Sequence, residues 1–143
     1  MMYFGLGCRN VSKLYLPAGY DLWKLGKFFE PWESHIRHNK YFNNYEYRKS
    51  IFIVNRKPFT DFGNLLLVED MQLASPVAVL HYEYYSGKAE LAAMLEGIEG
   101  EIQCVVSGAD PGVPFITPGH SQLPELWDYA DGVDTLDFLL KEI

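Results

Sequence analysis

Apolar and polar positions alternate over most of Val11-Ser12-Lys13-Leu14-Tyr15-Leu16, the period-two pattern of a half-buried strand, and Pro17-Ala18-Gly19 ends it. Asp21 stands where a helix N-cap is expected. Leu22, Leu25, Phe28 and Phe29 then recur at helical spacing until Pro31, and a second helical stretch is expected from Trp32 to about His38. The segment from Asn39 to Arg56 carries tyrosines at 41, 45 and 47 and apolar residues at 51, 52 and 54, which favours helix over strand, with Asn43-Asn44 as a turn or cap. A turn between Pro58 and Asn64 precedes Leu65-Leu66-Leu67-Val68, a run suited to a buried strand, and Pro76 opens a further one at Val77–Tyr82.

Farther along, Leu91, Met94, Leu95 and Ile98 form one stripe of a helix from Lys88 that ends at Gly97 and Gly100. Ile102–Val106 reads as the next strand. Strand, helix and strand in this spacing predict a βαβ unit, hence a parallel pair within an α/β fold with flanking helices. Gly108–Pro124, with four prolines and three glycines, reads as a long loop, and a short helix is expected from Asp134. No repeat or low-complexity tract interrupts the 143 residues, so one domain, 1–143, is the expectation.

Composition adds a packed core, since 48% of residues are hydrophobic and 15% aromatic. No apolar run approaches the roughly 20 residues of a membrane helix, and the reading is a cytoplasmic protein without a membrane span. Net charge is −7, which argues against nucleic acid as a partner. The sign is divided along the chain, however. Residues 1–57 carry ten Lys/Arg against four Asp/Glu, and residues 58–143 carry two against fifteen. The basic part either forms a solvated helical face or supplies a field for a polyanionic ligand.

Cys8 and Cys104 show no pairing pattern, and the four histidines form no ligand spacing with them, so no metal is expected. Cys104 sits in the apolar run and reads as structural. Cys8, in Tyr3-Phe4-Gly5-Leu6-Gly7-Cys8-Arg9-Asn10, is the one strong candidate nucleophile. Its glycines let backbone N–H groups approach a reacting carbonyl, Arg9 can lower a thiol pKa, and Asn10 adds a side-chain donor. The alternative is a small buried residue beside a glycine-rich leader. His35 and His38, three residues apart, lack a carboxylate or cysteine in register; His81, His120 and Glu83 carry no specific signal, and Glu83 reads as solvent-facing. Gly5-Leu6-Gly7 lacks the third glycine and preceding strand of a dinucleotide fingerprint.

Five segments, YFGLGCRNVSKLYLPAGYD, NNYEYRKSIF, ASPVAVLHYEYY, IQCVVSG and QLPELWDYADGVDTLDFLL, together resemble the C-terminal portion of bacterial acyl-CoA reductases, the LuxC-like branch of the aldehyde dehydrogenase superfamily in its Bacteroidetes form. The resemblance spans nearly all of residues 3–143 and includes the superfamily order of cysteine, strand, Gly-Pro-Val-like opening (here Ser75-Pro76-Val77), helix, strand and Pro-Phe loop (here Pro114-Phe115).

The resemblance implies an aldehyde-dehydrogenase-like catalytic-domain portion, with the nucleotide-binding domain absent. Cys8 would attack the thioester of an acyl-CoA, and NADPH would reduce the acyl-enzyme to an aldehyde. Arg9 and Asn10 are candidate thiolate or oxyanion supports, and Arg48 and Lys49 in the basic stretch 37–57 are candidate contacts for CoA phosphates. Where many superfamily members place a glutamate against the nicotinamide ribose, Gln72 stands here. Implied partners are acyl-CoA, the missing N-terminal domain and, because superfamily members commonly assemble through this half, a second copy of the chain. The isolated chain is expected to be inactive. The alternative reading is a non-catalytic folded or oligomerisation module left by truncation.

Overall fold

The computed structural model describes residues 2–7, 10–129 and 132–141. It is a mixed α/β protein that divides into two compact units, 1–86 and 87–143.

The first unit is built on a four-stranded sheet of β1 (Lys13–Pro17), β2 (Thr60–Asp61), β3 (Leu66–Glu69) and β4 (Val79–Tyr85), in the order β1-β4-β3-β2. β4 is parallel to both neighbours, with Lys13 opposite His81 and Leu66 opposite Val79, while β2 and β3 form an antiparallel hairpin. Gly63, with φ 82°, stands at the first central position of that hairpin's tight turn, where a positive φ matches the twist of the strands. Helices bridge β1 and β3. Asp21 caps a 3-10 turn at Leu22–Leu25 by accepting the Trp23 N–H at 3.1 Å, and α1 (Gly26–Phe29) and a 3-10 stretch at Glu30–Arg37 lead into α2 (Asn39–Val54). Asn43 and Asn44 therefore lie inside α2 instead of turning or capping it, and Asn44 donates to the Lys40 carbonyl within the helix at 2.8 Å.

Both faces of the sheet are covered. Tyr41, Tyr45 and Phe52 of α2 pack on Leu66, Val68, Ala78 and Val79. Leu16, Leu65, Leu67, Leu80 and Tyr82 face the other way, under Leu22, Leu25, Phe29 and Phe62. The uninterrupted run Leu65–Val68 follows from this, because alternate residues of a strand buried on both faces must all be apolar. Leu66, Leu67 and Val68 are 0% exposed.

In the second unit, α3 (Lys88–Glu96) forms as the stripe predicts, and α4 (Thr135–Lys141) follows Asp134, whose carboxylate accepts the N–H groups of Leu136 and Asp137. The expected strand at Ile102–Val106 does not form. Val106 makes only an isolated bridge with Ile116, so the βαβ unit predicted over 77–106 is corrected. An apolar run becomes a strand only against a neighbouring edge, and here it meets a single residue of the Pro/Gly loop. Cys104 is consequently half-buried outside any strand. The helical connection between parallel strands exists elsewhere, from β1 through α2 to β3, with β4 inserted between them.

Candidate functional site

The leader carrying the candidate nucleophile runs into β1 at the amino ends of the parallel strands. Met2–Gly5 forms a 3-10 turn in which Phe4 and Gly5 have φ of 58° and 81°. Cys8 and Arg9 lie outside the described residues. Phe4 packs against His38 and Tyr41, with ring centroids 4.8 and 5.4 Å away, and the Asn10 N–H donates to the Gly7 carbonyl at 2.9 Å.

Leader and sheet share a small recess of about 50 Å³. Phe4, Gly5 and Val11 line one side, and Ser75, Pro76, Ala78 and Val79 line the other, with Tyr41 at its wall. The loop joining β3 to β4 supplies that second side. The Ser75 hydroxyl donates to the Ser12 carbonyl at 2.5 Å and accepts the His81 N–H at 2.7 Å. Val79 N–H closes a turn onto the Pro76 carbonyl, placing Ala78 at a position that favours glycine, with φ 62°.

Polar side chains gather on the same sheet face beyond the recess. The register sets Lys13 and Tyr15 of β1 beside His81 and Glu83 of β4. Lys13, its side chain 3% exposed, forms an ion pair with Glu83 and donates to the Met71 carbonyl at 2.7 Å. Glu83 is therefore half-buried and engaged, contrary to the solvent-facing expectation. Burial, reinforced by the Glu83 charge, raises the Tyr15 pKa above its usual value. His81 is 4% exposed, and its Nδ1 lies 3.1 Å from the Gln72 carbonyl, an arrangement that places the proton on Nδ1. Asp70 pairs with Lys57 and accepts the Gln72 N–H at 2.9 Å, contacts that hold its carboxyl below the usual range. None of this density of charge within unit 1 was legible residue by residue; the period-two pattern could have found Lys13 and Glu83, since alternation assigns each a face but not a partner.

The two cationic candidates of α2 have different surroundings. Lys49 pairs with Asp61 at 2.7 Å, and Asp61 also accepts from the Tyr45 hydroxyl at 2.6 Å and the Gly63 N–H at 2.8 Å. Burial alone would raise the Asp61 pKa, but these donors take it below the ordinary value; burial and the Asp61 bond push Tyr45 up to about 12. Arg48 stacks on Tyr47, 5.5 Å from the ring centroid, and its buried Nε has no hydrogen-bond partner among the described residues. Much of the Lys49 charge is thus balanced inside the fold, whereas the contact given for the Arg48 guanidinium among the described residues is the Tyr47 ring.

The recess beside the leader is too small for a nicotinamide dinucleotide. Pockets for ligands of that size measure roughly 300–1,000 Å³, and the recess beside the leader is far smaller. Among the described residues no cluster of His, Cys, Asp or Glu is arranged to hold a metal ion, and no helix is long and apolar enough to cross a membrane. Comparison with protein families, curated proteins and solved structures found no match to this chain.

Proposed function

We propose that this chain is the C-terminal catalytic portion of an NADPH-dependent acyl-CoA reductase, with Cys8 as its acyl-accepting thiol. One observation carries the reading: residues on both sides of Cys8, namely Phe4, Gly5 and Val11, line a single recess with the β3–β4 loop at the amino ends of parallel strands. The sequence resemblance gives that placement its chemistry. The Cys8 thiolate adds to the thioester carbonyl of an acyl-CoA; the C–S bond to CoA breaks, CoA leaves as its thiolate and takes up a proton, and an acyl-cysteine remains. Arg9 and the Asn10 side chain would stabilise the attacking thiolate or the oxyanion, and Arg48, whose Nε has no hydrogen-bond partner among the described residues, is the better of the two α2 candidates for the CoA phosphates. Reduction of the acyl group to an aldehyde needs a hydride from a nicotinamide cofactor, for which the recess beside the leader is too small. For this chain by itself the reading therefore ends at the acyl-cysteine.

Mass spectrometry after incubation with a long-chain acyl-CoA tests it. A hydroxylamine-labile acyl adduct on the peptide containing Cys8, absent from Cys8→Ala, is the expected result, with no aldehyde formed by the chain alone when NADPH is added. Absence of the adduct, both here and on the corresponding thiol of a complete enzyme carrying these segments, would sink the reading. A second reading, a non-catalytic association module, is favoured by the exposure of Leu126, Trp127 and Leu136 in the second unit. Hydrolysis of acyl-CoA without nicotinamide would point instead to a cysteine-dependent hydrolase.

A further inference from the structure

We propose that an exposed ridge of aromatic and lysine side chains on residues 22–29 seats the protein on an anionic lipid surface. Neither Cys8 nor the recess enters it, so it goes beyond the acyl-transfer reading and does not depend on it. The ridge is the outer side of the two short helical turns that follow β1. Leu22, Leu25 and Phe29 of those turns pack on the sheet with Leu16, Leu67 and Leu80. That inward set, spaced three and four residues apart, leaves Trp23, Lys24, Lys27 and Phe28 on the opposite side. The solvent side of such a helix is ordinarily charged and polar. Here it holds two large rings, Trp23 at 67% and Phe28 at 58% exposure, with two exposed lysines between them in the sequence.

The ridge is seated firmly on the sheet. The Trp23 ring meets Phe62, in the turn between β2 and β3, with centroids 5.3 Å apart, and Phe62 meets Phe29 at 5.2 Å. Gly26 allows that approach, because a Cβ there would stand 3.2 Å from the Phe62 ring. Side chains already held in place lose little freedom when a partner covers them. The Lys27 ammonium lies over the Phe28 ring, 4.9 Å from its centroid. Rings interleaved with long cations suit a membrane interface, where aromatic bodies sit at headgroup depth and lysine stems follow the apolar layer while their ammonium groups reach the phosphates. Apart from the Trp23 indole N–H and the two ammonium groups, these four side chains carry no hydrogen-bonding group, so they match an apolar layer with an anionic rim better than a surface of specific polar partners. Lys24 and Lys27 form no ion pair among the described residues. The nearby carboxylates stand aside: Asp21 accepts the Trp23 N–H ahead of the first turn, and Glu30 and Glu33 lie in the 3-10 stretch beyond Phe29. The net charge of −7 does not prevent the contact, because exposed charges more than about 8 Å from the bilayer are largely screened at physiological salt.

Co-sedimentation of the full chain with phosphatidylcholine vesicles containing about 30% phosphatidylserine tests the proposal. Binding is expected in about 0.05 M salt and its loss in about 0.5 M. Phe28→Ser is expected to weaken binding about five- to ten-fold, and Lys24→Gln/Lys27→Gln about thirty-fold, with the preference over pure phosphatidylcholine abolished. Both variants exchange exposed side chains, and a urea midpoint followed by circular dichroism shows that each is folded; Trp23→Ser serves if Phe28→Ser is not. Leu126→Ser, in the second unit, leaves binding unchanged. Absence of co-sedimentation at low salt, undiminished binding in the folded ridge variants, or loss of binding in Leu126→Ser alone overturns the proposal. So does self-association of the chain that the lysine variant abolishes while no vesicle binding occurs, which would assign the ridge to an acidic protein surface. None of these readouts involves acylation, so failure of the Cys8 reading and failure of this one are told apart.

Discussion

Arg56 occupies a position that chemistry reserves for glycine. It follows the end of α2 with φ 53°, and two N–H groups turn back on the helix: Arg56 to the Ile53 carbonyl at 3.1 Å and Lys57 to the Phe52 carbonyl at 2.9 Å. That pair of bonds defines a Schellman ending, whose left-handed residue is usually glycine because a Cβ there crowds the following carbonyl. The Arg56 side chain is exposed and makes no ion pair or ring contact among the described residues that would justify the conformation. Arg56→Gly is expected to raise stability by about 1 kcal/mol, seen as a higher urea midpoint with the slope unchanged; a lower midpoint would show that the side chain matters more than the backbone. Nothing in the sequence marks this position, since Asn55-Arg56 is ordinary for a helix end.

At the scale of elements, the clasp between α2 and β2 makes stability depend on pH at both extremes. Tyr45 has its pKa pushed up to about 12 from an ordinary value near 10, so its contribution is complete below about pH 10 and is lost as pH rises through about 12. Asp61 is displaced the other way: its contribution is present above the ordinary carboxylate range and is lost as pH falls below it. Tyr45→Phe is expected to cost about 1 kcal/mol near neutral pH, for the bond to Asp61, and to flatten the alkaline decline without abolishing it, because Tyr41 is shifted in the same direction. Urea midpoints at neutral pH and through the alkaline range check this; an alkaline slope identical to that of the unmodified protein would remove Tyr45 from the account. The elements themselves were largely legible. The period-two run gave β1, the helical stripes gave α2 and α3, and the apolar runs gave β3 and β4, because each pattern is read directly against its own burial. Ile102–Val106 was misread for want of a partner, which periodicity cannot supply. The Ser75 network escaped notice for the same reason: its bonds span 63 residues to Ser12 and six to His81.

The whole molecule places its complete sheet within residues 1–86, with both faces covered from inside that span. The described residues of 87–143 include the nine-residue α3, the seven-residue α4 and many exposed apolar side chains, among them Leu126 at 92%. A fragment of residues 1–86 is accordingly expected to unfold cooperatively in urea, with an unfolding free energy within about 1 kcal/mol of the value for the same transition in the full chain. A gradual, non-cooperative transition by circular dichroism would show that the second unit is needed for the first. The division of charge noted in the sequence takes on a structural sense here, since the basic helix α2 belongs to the sheet-bearing unit and most of the acidic residues to the other.

The strand order also fixes a timetable for biosynthesis. β1 emerges first and β4 last, yet β4 is the strand that every parallel pairing in the sheet requires. As the chain leaves the ribosome, β1 can find no partner until residues some 68 positions later are free, because Lys13 is matched to His81. Helix α2 and the β2–β3 hairpin can form in the meantime from local contacts, with their apolar faces still wet. Closure of the sheet is thus a single late, non-local event, and the interval before it is when a nascent chain of this sequence is most open to proteases, chaperones and its own neighbours.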